Sequence, residues 1–237
     1  MDGRAVGAAA ALVLLAGLTT AAVQSADDGA RPSGPSAPAE SAAPSTPGTA
    51  PQTGAPSEDA PEPEVVVVRY RVERRTADAA TAGFEGVVEQ TLTDSRGWEQ
   101  AGFDLVRDDS PDTPFVVVLA EPDEVDRLCL PYDTYGKYSC QNGPVVALNA
   151  DRWRTATPEW TGDLATYRRM LVNHEVGHLL GRRHPPEPQC PVPRRRALVM
   201  SQQSTELNGC LPNPWPLREE VEAAARHDEP LAPAFDE

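Results

Sequence analysis

The chain has 237 residues, 36 acidic against 21 basic, and a formal net charge of −15. A balance that acidic repels a polyanion, so nucleic acid is excluded as an expected partner. The length suits one packed domain, although two N-terminal segments do not read as part of it.

Residues 5–23, AVGAAAALVLLAGLTTAAV, form a mostly apolar run behind a single basic flank at Arg4, with small residues before Asp27 and Asp28. Residues 1–26 therefore read as a signal peptide or an N-terminal membrane anchor. Cleavage is the favoured outcome, although the run is long enough to span a bilayer if retained. Residues 27–64 are rich in Pro, Ala and Ser, without an aromatic residue or apolar periodicity. Such a segment cannot bury enough surface to offset its ordering entropy and is expected to be a disordered linker. Either a cleaved signal or a retained anchor places residues 65–237 outside the cytoplasm, secreted or anchored to the outer face of the cytoplasmic membrane. Contact with a membrane is expected only through that anchor.

The folded domain opens with VVVVRYRVE at 65–73, a β-branched run that then alternates, which suits a strand buried at its start. Phe84, Val87, Val88 and Leu92 recur at helical spacing and predict an amphipathic helix over 79–92. Further strands are expected at 103–106, 114–120 and 144–150. A second helix is expected from Gly162 or Asp163 to Leu180. On it Leu164, Tyr167, Leu171, His174 and His178 share one face, while Val172, Val176 and Leu179 share another that faces the core. Gly177 inside this helix costs about 1 kcal/mol relative to alanine and suits close packing against a neighbouring backbone. Leu217, Val221, Ala224 and Ala225 predict a last helix, and His227 beyond it reads as a surface residue. This order of elements implies an α+β domain with a mixed, twisted sheet. A monomer is expected.

Cys129, Cys140, Cys190 and Cys210 make an even set in an exported chain, where cysteines usually pair. Three pairings are open. Proximity favours Cys129–Cys140 and Cys190–Cys210, and the absence of a C-x-x-C spacing argues against a metal role.

The string HEVGHLLGRRH, from His174 to His184, fits H-E-x-x-H-x-x-G-x-x-H. His174 and His178, four apart on a helix, can converge on one Zn²⁺. Glu175 lies to one side of that pair, placed to act as a base rather than a ligand. Gly181 can take the left-handed conformation that ends a helix, so the chain can return His184 as third ligand. Three protein ligands with an open fourth position are the pattern of a catalytic zinc site.

With ALVMSQQS following, its Met200 sixteen residues beyond His184, the chain resembles the metzincins, zinc endopeptidases in which the long histidine motif is followed by a methionine turn. The resemblance implies that Met200 is an apolar floor beneath the ligands. RGW at 96–98, LNADRW at 148–153, VNHEVGHLLG, VMSQQ and NPWP at 213–216 also make it similar to an uncharacterised family of secreted proteins from high-GC bacteria. The tyrosine that some metzincins carry two residues after the turn methionine is replaced here by Gln202. Pro185 follows the third histidine as in the serralysin-like branch, yet calcium-binding glycine repeats are absent.

The expected function is a secreted or surface-tethered zinc endopeptidase acting on protein or peptide, with residues 144–149 as the edge strand that receives substrate. The alternative is a zinc-bearing surface domain that binds without cutting, and Glu175 favours the enzyme because a binding module needs no base.

Overall fold

The computed structural model describes residues 65–227, 229 and 231. The chain divides into two units, Met1–Ser57 and Glu58–Glu237, and the described residues all belong to the second. The expected signal or anchor and linker, 1–64, lie outside the described residues. No helix among the described residues is long and apolar enough to cross a membrane.

Five strands form one mixed sheet: β1 (Val66–Arg74), β2 (Phe103–Arg107), β3 (Phe115–Ala120), β4 (Cys140–Asn142) and β5 (Val145–Asn149). Their order is β2-β1-β3-β5-β4. All pairings are parallel except β4 with β5, where Cys140 faces Ala147 and Asn142 faces Val145. The architecture is α+β, as the pattern of elements implies.

Each strand's composition follows from its place. All six residues of β3 are buried. Val117 and Leu119 enter a core shared with Val68, Tyr70, Val146 and Leu148, while Val116, Val118 and Ala120 pack on the other face with Val125, Cys129 and Ala147. A strand covered on both faces needs a continuous apolar run, and FVVVLA supplies one. β1 is covered on one face only. Val68 and Tyr70 are buried, whereas Val65 and Val67 are 59% and 53% exposed, so the β-branched run alternates from the outset and is not buried at its start.

The expected helix over 79–92 is divided. A 3-10 turn at Ala79–Thr81 is separated from α1 (Phe84–Leu92) by Gly83, whose φ of 80° interrupts the helix. Two short helices escape periodicity altogether. One is α2 (Pro122–Leu128), with proline at its start; the other is α3 (Ala150–Thr155), whose N-cap Asn149 accepts from the amide of Asp151 at 2.9 Å. The helix α4 (Leu164–Leu179) begins at Asp163, which caps Thr166 N–H at 2.7 Å. Both its faces are covered: Tyr167 and Leu171 are as deeply buried as Val172, Val176 and Leu179. The final helix is α5 (Arg218–Ala224).

Disulfides join Cys129 to Cys140 and Cys190 to Cys210. The first fastens the end of α2 to the first residue of β4. His227 is not free on the surface: its Nε2 lies 2.8 Å from the Ala101 carbonyl and its ring packs 4.8 Å from Phe103.

Candidate metal centre

The C-terminal end of α4 builds the site. Leu180 caps the helix, Gly181 follows with φ of 81°, and the amides of Gly181 and Arg182 donate to His178 and Gly177 carbonyls at 3.0 and 2.8 Å. This pair of bonds is a Schellman motif, and its left-handed residue suits glycine. The turn also orients a ring, because His178 Nδ1–H donates to the Arg182 carbonyl at 2.8 Å. His174 Nδ1–H donates to the Val199 carbonyl, likewise at 2.8 Å.

These two bonds commit both Nδ1 protons, so the Nε2 atoms of His174 and His178 present bare lone pairs. Both face His184 Nε2, at 3.2 and 3.1 Å. His184 has at most one proton to give, so at least one pair of nitrogens meets without hydrogen between. Ligands of a tetrahedral zinc with bonds of about 2.0–2.1 Å lie about 3.3–3.4 Å apart, close to the spacing seen. The donor set therefore fits a zinc ion, and these three residues are the metal-competent cluster found among the described residues.

Burial keeps the cluster neutral. It pushes His174 down to about 3, helped by the charge His178 would carry, and His178 down to about 4; His184, the most exposed of the three, is lowered by the same cause. Glu175 is 6% exposed and lines the same cleft of about 290 Å³. Burial pushes its carboxyl up to about 8, with Arg152 pulling the other way.

Met200 is buried against α4. A Cβ added at Gly177 would meet Met200 Sδ at 2.4 Å and Trp98 Cζ2 at 2.9 Å. Gly177 is thus required by two side chains, not by the neighbouring backbone that its position in a helix suggests. Trp98 also donates from its indole to the Asn173 carbonyl at 3.0 Å.

Residues with no role assigned from sequence hold this layer together. Glu220, on the first turn of α5, accepts the amides of Val199, Met200 and Leu217 at 2.9, 2.9 and 2.8 Å. Burial raises its pKa against the three N–H groups that favour its charge. Gln203 and Asn213 exchange bonds of 2.9 Å in both directions, and each also holds a carbonyl of the turn, Leu198 and Ala197 respectively. An acid three residues after a helix start was the one available signal for Glu220. Asn213 stands in the NPWP segment, and Trp215 of that segment lies under Arg96 of RGW at 4.4 Å.

The family described as "Protein of unknown function (DUF3152)" matches residues 38–216, a span containing every motif segment from Arg96 to Pro216. The chain belongs to the DUF3152 family. No curated protein matches the sequence. Among solved structures, archaemetzincin from Methanopyrus kandleri is similar over 68% of this chain and 94% of its own, with 16% identity and a TM-score of 0.36.

In this DUF3152 chain the strand beside the cleft is not the one expected. Residues 144–149 correspond to β5, which is paired on both sides, by β3 and by β4. The edge belongs to β4, and Ser139, Cys140 and Gln141 line the cleft. Three residues without apolar alternation give no strand signal, so periodicity passed over the true edge.

Proposed function

We propose that this chain is an exported zinc-dependent endopeptidase. The observation that carries the reading is the convergence of three Nε2 lone pairs beside a buried Glu175 in one open cleft. His174, His178 and His184 would hold the ion. A bound zinc supplies Lewis acidity, polarising a carbonyl and making a water acidic near neutral pH. Glu175 takes the proton of the attacking water and passes it to the departing amine nitrogen; a carboxyl pushed toward neutral pH is suited to both transfers. The Val199 and Arg182 carbonyls keep the imidazoles oriented while this happens. An extended peptide would add to the free side of β4, with main-chain hydrogen bonds fixing its register. The two disulfides accord with folding in an oxidising compartment.

The test compares the full chain with Glu175→Gln on a mixed peptide library, with bound zinc measured in both. The expected result is one zinc per chain in each and cleavage by the unsubstituted chain alone. Equal cleavage by both removes Glu175 from the chemistry. Bound zinc with no cleavage by either favours a domain that binds without cutting.

A further inference from the structure

The cleft continues from the histidines along α4. Met170 and Leu171 line it one turn before His174, a displacement of about 5.4 Å along the helix axis. Arg152 of α3 lines the same cleft, in contact with Tyr138 and Ser204, and among the cleft-lining residues it is the one fixed cation.

Its surroundings are unusual for a partly buried guanidinium. Nε donates to the Lys137 carbonyl and Nη1 to the Ser204 carbonyl at 3.2 Å, the Tyr167 hydroxyl is a further neighbour, and the guanidinium carbon sits 5.1 Å from the centre of the Tyr138 ring. All of these are neutral. They hold the side chain in place without an ion pair to Arg152 among the described residues, and the acidic group that feels its charge is Glu175 of the same cleft. Arg154, two residues on, provides the contrast: Asp78, Glu121 and Asp151 all contact it within 2.8 Å. A preorganised guanidinium with spare donors takes a carboxylate well, because the fork of N–H groups matches the two oxygens.

We propose that Arg152 is the specificity-determining cation of the cleft and takes a carboxylate of the peptide close to the scissile bond. This rests on the peptidase reading for the position of the bond but not for the binding itself. Either an acidic side chain or a free peptide C-terminus offers that group. Met170 and Leu171 give the same cleft apolar wall for the methylenes of a glutamate whose oxygens meet Arg152.

The experiment uses the zinc-loaded full chain and matched peptides. One set pairs Glu with Gln under an amidated terminus; a second pairs a free C-terminal acid with its amide. Binding is read by fluorescence anisotropy on the Glu175→Gln variant, and cleavage by mass spectrometry on the unsubstituted chain. The carboxylate member of a pair is expected to bind about tenfold or more tightly. Which set shows the difference identifies the source of the carboxylate. The preference is expected to vanish in Arg152→Gln, to persist in weakened form in Arg152→Lys and to turn toward lysine peptides in Arg152→Glu. Equal binding of both members by the protein with Arg152 intact overturns the proposal, as does an unaltered preference in a folded Arg152→Gln. Carboxylate-dependent binding with no peptide cut defeats the peptidase reading and leaves the assignment of Arg152 standing; cleavage without that preference does the reverse.

Discussion

Replacing Glu220 by alanine should reach the metal from a distance. The carboxylate holds three buried amides, and one belongs to Val199, whose carbonyl orients His174. A buried donor left unpaired costs about 1–3 kcal/mol, so three could cost as much as about 9 kcal/mol if they stayed dry. They should not stay dry, because Glu220 borders a cavity of about 280 Å³ on the far side of Met200 that can admit water. Removing a carboxylate that burial already disfavours recovers some of the cost. A net loss of about 2–3 kcal/mol is expected, which for a domain of this size lowers the Tm by roughly 5–10 °C. The freed Val199 peptide should also weaken zinc binding about tenfold, the low end for a partner that orients a ligand. Calorimetry gives the first quantity and competition with a chromogenic chelator the second. Glu220→Gln, which keeps one accepting oxygen, should fall between. An alanine variant with unchanged Tm and zinc affinity would refute the chain of support from α5 to His174.

Gly177→Ala gains about 1 kcal/mol in helix propensity, yet its methyl would lie 2.4 Å from Met200 Sδ and 2.9 Å from the Trp98 ring. Overpacking at about 1–3 kcal/mol should outweigh the gain, and a raised Tm in thermal denaturation would show that Met200 yields freely. The zinc-free chain should be most stable near pH 6.5. Below it, the unfolded state protonates histidines that the fold holds down at about 3 and 4, so stability falls with falling pH. Above it the histidines are neutral in both states, while Glu175, raised to about 8, keeps its proton only when folded, so stability falls as pH rises toward 8. Between about 4.5 and 6.5 at least two imidazoles oppose one carboxyl, and the histidines prevail. Urea titrations across this range should trace the maximum, and in Glu175→Gln the alkaline decline should disappear; its persistence would assign that decline to another group.

What the sequence revealed was what local chemistry decides. Histidines four apart, a glycine three further on and a third histidine report their geometry because a helix and its terminal turn are short-range structures, and Gly181 adopts the conformation its position requires. The helix start at Gly162 or Asp163 and the strand over 114–120 were readable for the same reason. The supports of the site were not, because they come from distant segments. Glu220 acts on Val199 across 21 positions, and Trp98 reaches Asn173 across 75. Arg152 was visible inside LNADRW, but only the fold shows it lining the cleft with no ion pair among the described residues. The edge strand escaped because β4 is too short to have a period, and α2 and α3 escaped because their signals are single residues, Pro122 and Asn149.

The brevity of β4 bears on more than the grip on a substrate. A sheet margin left unpaired among the described residues is a place where any extended chain can pair, including a second copy of the same molecule, and long bare margins are how sheet proteins begin to aggregate. Three residues span only about 10 Å, and the Cys129–Cys140 bond anchors the strand at its first position. That ledge is long enough to align one extended segment and too short to template a fibril.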